Sequence, residues 1–157
     1  MIGMDATAKP KGCTSFKLRQ LGRVVARDYD AHVAACGLKT SQYSLLSHIA
    51  ALGPVRPVDL AAHMNLDAST LTRNLKPLIA EGWAEMGEGA DARSRLIHIT
   101  EAGRAKRNEA RALWQQAQRA LNGRLGAARV AALHALIDEA LAVLAPAEAG
   151  EEGKEGG

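Results

Sequence analysis

The stretch VDLAAHMNLDASTLTRNLKPLIAEG, residues 58–82, decides the fold. Its first part reads as a short helix, Val58 to Met64, with Pro57 at or just before the first turn, where a missing N–H costs nothing. Asn65-Leu66-Asp67 then makes a three-residue turn. From Ala68 to Glu81 the apolar residues Leu71, Leu75, Leu78 and Ile79 recur at helical spacing, and Gly82 supplies the stop. Two short helices joined by so tight a turn make a helix-turn-helix. Pro77 lies inside the second of them and forfeits a backbone bond, costing up to ~3 kcal/mol unless the helix kinks, so a bend is expected near Arg73.

Working outward, Trp83 to Glu88 and Leu96 to Thr100 are the only segments that look extended, and the loop between them carries Arg93 and Arg95. A helix-turn-helix followed directly by a basic hairpin is a winged helix, which suits a duplex: the second helix enters the major groove and the hairpin reaches the neighbouring minor groove. With Leu71 at 0° and ~100° per residue, the apolar stripe centres near ~20°, whereas Lys76, Ser69 and Arg73 fall at ~140°, ~160° and ~200°. Thr70 and Thr72 flank them. That outward face is small and hydroxylic at its start and basic further on, so it can approach phosphates and base edges, and Arg73 can donate two bonds to a guanine. Two arginines at a hairpin tip suit a narrow minor groove, and Asp91 is placed to brace one of them.

On the N-terminal side, Leu18, Leu21, Val25 and Val33 line one face of a long helix from a cap at Thr14 or Ser15 to Ala35, stopped by Gly37. Ser41 is the expected cap of a broadly apolar second helix ending at Gly53-Pro54. On the C-terminal side, Thr100 caps a long helix to about Leu121, Gly123 and Gly126 break it, and Val130, Leu133, Ile137, Leu141 and Leu144 line a last helix.

Composition agrees with this outline. Five aromatic residues in 157, against 47% apolar residues, require an aliphatic and mostly helical core. That length fits one domain, residues 13–145, between a disordered N-terminus (1–12) and a disordered acidic tail (146–157). Net charge is +3. The tail contributes Glu148, Glu151, Glu152 and Glu155 against Lys154, so the body is more basic than the whole, which is compatible with nucleic acid without proving it. No apolar run approaches the ~18 to 20 residues of a membrane span, and the first residues lack a signal-peptide core. A soluble, cytoplasmic protein with no membrane partner is expected. Cys13 and Cys36, ~35 Å apart if one helix joins them at ~1.5 Å per residue, cannot bridge within one chain. The five histidines show no zinc-ligand spacing, and no nucleophile–base pair, carboxylate pair or phosphate loop is recognisable, so neither metal, cofactor nor catalysis is expected.

The run Asp91-Ala92-Arg93-Ser94-Arg95-Leu96-Ile97-His98-Ile99-Thr100-Glu101-Ala102-Gly103 resembles the wing signature of the MarR family of bacterial transcriptional regulators. Gly37-Leu38 before Ser41-Gln42-Tyr43-Ser44-Leu45-Leu46, then Leu60-Ala61, Leu71-Thr72-Arg73 and Glu81-Gly82-Trp83, resemble the family in order and spacing. The likeness covers about residues 13 to 145. It implies a mainly α, winged helix-turn-helix DNA-binding domain (41–100) flanked by long N- and C-terminal dimerisation helices (13–36 and 101–145). Two chains would interlock and place two winged units on a pseudo-palindromic operator, with half-sites ~10 base pairs apart. Repression is the family's commoner mode. Ser69, Thr70, Thr72, Arg73 and Lys76 fall on its recognition helix and Arg93 on its wing arginine.

The resemblance also implies release from DNA by a small anionic effector bound between the dimer helices and the winged unit. The matching positions are Arg23, Thr40, Tyr43 and Trp114. An arginine between aromatic walls suits an aromatic acid such as a benzoate or an indole acid, since a desolvated carboxylate needs a charged partner and the ring needs apolar contact. In the alternative reading, Tyr43 and Trp114 fill the core and Arg23 pairs with Asp28 or Asp30. Cys13, near the start of the first helix, is a rival redox sensor, although the sensing cysteine of such relatives matches Ser15 here. A winged helix used for protein–protein binding is the other alternative, against which the polar face of residues 69–76 argues.

Overall fold

The helix-turn-helix forms where the sequence places it. In the computed structural model, which describes residues 7, 9–89, 91 and 94–145, α1 (Thr14–Val33) leads through a 3-10 turn (Ala34–Cys36) to α2 (Thr40–Leu52), α3 (Pro57–His63) and α4 (Ala68–Ala80). Strands β1 (Ala84–Met86) and β2 (Ile97–Ile99) follow, then α5 (Glu101–Leu125) and α6 (Ala127–Leu144). The fold is a mainly helical winged helix.

Aliphatic side chains build its core. Leu45, Leu46 and Ile49 of α2, Leu60 of α3, Leu71, Leu75 and Leu78 of α4 and Ile97 of β2 are buried together, with Tyr43 the one aromatic ring among the buried core residues described. Ile79, expected on the same stripe, lies at its edge and is 39% exposed. α4 continues through Pro77 to Ala80, so the proline's lost bond does not end the helix. Its C-terminus closes by Gly82 N–H to the Ile79 carbonyl and Trp83 N–H to the Leu78 carbonyl, with Gly82 at φ +76°.

The hairpin is shorter than expected, pairing Ala84 with Ile99, Glu85 with His98 and Met86 with Ile97. It is also wider by one bridge that local periodicity does not reveal. Val55, in the α2–α3 connection, exchanges both backbone bonds with Ile97 (3.0 and 2.8 Å), stitching the wing to the start of α3.

Two helix boundaries differ from expectation for identifiable reasons. α2 starts at Thr40, with Lys39 rather than Ser41 as its cap residue. Asp30 of α1 accepts the Thr40 N–H at 2.6 Å, and the Gln42 side chain accepts the Lys39 N–H at 2.9 Å, so the orphan donors are satisfied before Ser41 is reached. α5 runs through Gly123 to Leu125, because a mid-helix glycine only weakens a helix; the chain turns at Gly126, where φ is +84°. α1 is capped at Cys13, without a side-chain bond from Thr14 or Ser15.

α1 packs along α5, and α2 lies against both. α6 touches α5, yet none of its residues is buried: Leu136, Ile137, Leu141, Val143 and Leu144 stand exposed, as do Phe16, Leu18, Leu21 and Val24 of α1.

Candidate nucleic-acid interface and effector cleft

The first turn of α4 is organised by Asp67. Its carboxylate accepts the Thr70 N–H at 2.7 Å and the Ser69 hydroxyl at 2.8 Å. Those bonds, the Thr70 amide first, hold its pKa below the ordinary carboxylate value. Further along, the Thr72 hydroxyl donates to the Ala68 carbonyl at 2.9 Å, and Arg73 Nη2 reaches Thr70 Oγ1 at 3.4 Å. Ser69, Thr72, Arg73 and Lys76 are exposed and Thr70 is half-buried, opposite the buried Leu71–Leu75–Leu78 stripe. Arg73 is tethered loosely enough to exchange Thr70 for another acceptor.

At the wing tip, Asp91 Oδ1 accepts the Ser94 N–H at 2.9 Å while Ser94 Oγ accepts the Asp91 N–H at 3.0 Å, a reciprocal closure of the turn. Asp91 thus shapes the tip as well as carrying charge there. Arg95 is exposed. Arg93 lies outside the described residues. The wing's base is fixed to α5: the Thr100 hydroxyl donates to the Gly82 carbonyl at 2.6 Å and accepts the Gly103 N–H at 3.0 Å.

A cleft of about 610 Å³ opens where α1, α2 and α5 meet. Thr40, Tyr43 and Trp114 line it, and the Tyr43 and Trp114 rings stack with centroids 5.6 Å apart at 29°. Arg23 does not join them. The α1 residues facing the cleft are Gly22, Val25, Ala26 and Tyr29, so Arg23, ~100° round the helix from Gly22, is turned away and exposed. The cleft's guanidinium groups come instead from α5, as Arg107 and Arg111. Their spacing with Trp114 and Gln118, at steps of four, three and four, marks one helical face and was the available sequence signal. Nor does Arg23 take either acid suggested for it: Asp28 pairs with Arg124 at 2.8 Å, and Asp30 accepts the Thr40 N–H.

The cleft's polar atoms are incompletely satisfied. Among the described residues, the buried side-chain nitrogen and oxygen atoms without a hydrogen-bond partner are Thr40 Oγ1, Ser47 Oγ and Arg107 Nε, and all three residues line this cleft. Tyr29 donates to Gln118 Oε1 at 3.4 Å along one wall, and burial raises its phenol pKa. His48 contributes a ring whose Nδ1 lies 2.7 Å from the Ser44 carbonyl, which assigns the proton to Nδ1 and leaves Nε2 as an acceptor in the neutral form.

Both cysteines are free thiols. Cys13 is exposed at the start of α1, whereas Cys36 is buried and donates to the Val33 carbonyl at 3.1 Å. Among the described residues no group of three or more His, Cys, Asp or Glu could hold a metal, and no helix is long and apolar enough to cross a membrane.

A family model described as the MarR family matches residues 37–94, from the end of the 3-10 turn to the wing tip. A curated relative, the HTH-type transcriptional regulator YwoH of Bacillus subtilis, is 29% identical over 93 residues, 59% of this chain and 68% of YwoH. Among solved structures, the M. tuberculosis transcriptional regulator MosR in complex with DNA is 30% identical, with a TM-score of 0.71 over 84% of this chain and 98% of MosR. A cysteine mutant of MarR from E. coli, complexed with operator DNA, is 25% identical, with a TM-score of 0.73 over 81% of this chain and 92% of that one. A likeness that extends beyond the helix-turn-helix to α1, α5 and α6, at this identity, makes the chain a member of the MarR family of transcriptional regulators.

Proposed function

We propose that the protein is a cytoplasmic homodimeric repressor that binds a pseudo-palindromic operator and lets it go when a small aromatic acid occupies the α1–α2–α5 cleft. The DNA-binding part is carried by α4: an Asp67-capped helix with a buried aliphatic stripe and an opposite face of Ser69, Thr72, Arg73 and Lys76 suits phosphates and base edges. It offers no aromatic anchor for a protein partner. Thr70 and Arg73 supply the reading end, and Arg93 and Arg95 the minor-groove contact. MosR and the E. coli MarR, both solved on DNA, support this use of the fold.

The effector part rests on the three unpartnered buried atoms of Thr40, Ser47 and Arg107 in one cleft. A buried donor without an acceptor costs about 1 to 3 kcal/mol, a cost that an anion with two oxygens would relieve. The Tyr43–Trp114 stack provides the apolar wall for its ring. Because α1 and α5 belong to the dimer frame and α2 to the winged body, a ligand there favours one angle between them and shifts the population of DNA-competent dimers.

The dimer is supported by the bare apolar faces of α1 and α6, which one chain leaves exposed around a groove of about 740 Å³ lined by Leu18, Leu21, Val24, Leu125, Leu133 and Ile137 among others.

Fluorescence anisotropy tests the whole reading, using a duplex from upstream of the protein's own gene and a shuffled duplex across a salt series, then adding benzoate and indole-3-acetate. A specific excess of ~10³ or more with a steep salt slope, lost on adding an acid, is expected. Equal binding of both duplexes would contradict the operator reading. An excess unmoved by either acid would contradict the aromatic-acid reading.

A further inference from the structure

In a winged helix whose second helix sits in the major groove and whose hairpin reaches the next minor groove, one sugar-phosphate strand must pass between them. The protein element facing that strand is the junction of wing and helix-turn-helix. Here that junction is Val55-Arg56-Pro57. Val55 is bonded in both directions to Ile97 of β2, Pro57 opens α3, and Arg56 between them has an extended backbone at the α3 cap. Arg56 lines a depression with Ala68, Leu71 and Thr72 of α4, and Thr72 flanks the outward face of that helix. It therefore stands beside the first turns of α4, at the edge of the face that α4 presents.

Its guanidinium is already oriented. Nε donates to Asp59 Oδ2 at 2.8 Å and Nη2 to Asp59 Oδ1 at 3.2 Å, a two-point grip that fixes the plane of the fork. Nη1 takes no part in that grip. The pair is open to solvent, with Arg56 and Asp59 side chains 55% and 51% exposed. Such a pair contributes little to stability, but a prealigned fork loses less freedom when it meets an anion.

We infer that Arg56 is a phosphate anchor: Nη1 holds the phosphodiester that runs between the groove read by α4 and the groove reached by the wing, and Asp59 is the residue that positions it. The inference rests on the DNA-binding reading above. Neither the family resemblance nor the recognition-face periodicity singles out Arg56, because it stands in a connection rather than on α4 or the wing.

The test measures full-length protein on operator and random duplexes by anisotropy from about 50 to 300 mM salt, comparing wild type with Arg56→Gln, Arg56→Lys and Asp59→Asn. A phosphate contact carries no sequence information, so Arg56→Gln weakens both duplexes by a similar factor, about 5- to 10-fold, and lowers the salt slope by about 1. Arg56→Lys restores the slope but only part of the affinity, since an ammonium keeps the charge and loses the fork. Asp59→Asn keeps the slope while losing affinity. A slope and affinity for Arg56→Gln equal to wild type would overturn the inference, leaving Arg56–Asp59 as a helix-end ion pair. If Arg56→Gln does not fold, Arg56→Lys decides alone: wild-type affinity on both duplexes overturns the fork's role. A wild type that binds neither duplex removes the DNA-binding reading itself, an outcome distinct from loss of the Arg56 effect.

Discussion

Gly103 of α5 lies directly against the backbone carbonyl of Trp83, so close that a Cβ at position 103 would overlap that oxygen. The Trp83 carbonyl also accepts the Thr100 N–H at 3.0 Å, so it cannot move aside without breaking the wing's attachment to α5. Gly103→Ala should therefore destabilise the fold by at least ~1 to 3 kcal/mol, measured by urea denaturation. An unchanged midpoint would mean that α5 and the wing separate easily.

Asp67 gives the stability of α4 a pH dependence of known sign. Its folded pKa lies below the ordinary value, so its contribution is fully present above the unfolded carboxylate pKa and is lost as pH falls through the lowered folded value. The melting temperature of Asp67→Ala should lie below wild type near neutrality and converge with it in acid, below about pH 4. Asp67→Asn, a neutral cap, should hold a nearly pH-independent advantage over alanine across the same range.

Arg73→Ala is expected to weaken operator binding by ~1 to 3 kcal/mol and to relax one base preference, because a bidentate guanine contact discriminates as well as binds. Binding to a panel of single-base operator variants checks it. Equal losses on operator and random DNA would show that another part of α4 reads the sequence.

Arg107→Met should abolish any thermal stabilisation by benzoate or indole-3-acetate while leaving the ligand-free protein as stable as wild type or more so. The methionine keeps much of the buried stem and removes an orphaned donor. A matched Arg23→Met, altering an exposed side chain outside the cleft, should leave the ligand response intact.

Ile137→Glu on α6 should convert dimer to monomer in sedimentation, since it places a carboxylate in the apolar groove between α1, α5 and α6. A dimer that survives this change would place the interface elsewhere.

What was legible in the sequence follows from the range of the interactions. The helix-turn-helix could be read because its determinants lie within a few residues of one another: Pro57 at the first turn, the Leu71–Leu75–Leu78 stripe, Gly82 at the stop. The outward face of α4 followed from that same stripe. The cleft could not be assembled that way, since it needs the relative rotation of three helices distant in sequence. A rotation of ~100° separates Gly22, which faces it, from Arg23, which does not. Arg107 and Arg111 share a face with Trp114 in any helical projection, but only packing makes that face the one turned toward Thr40. The Val55–Ile97 bridge is likewise non-local, and the start of α2 depends on Asp30 reaching across from α1.

The two indoles of the chain stand apart, one in the cleft proposed for the effector and one at the base of the wing. Trp114 stacks on Tyr43 in the cleft, while Trp83 lies at the wing's base beneath the Lys106 ammonium, 5.6 Å from the ring centroid. Intrinsic fluorescence therefore divides into two optical channels, which single tryptophan-to-phenylalanine replacements would separate: a Trp114 signal that follows occupancy of the cleft and a Trp83 signal that follows movement of the wing. Comparing their time courses after adding an acid would show whether the two sites respond together and, if so, in which order.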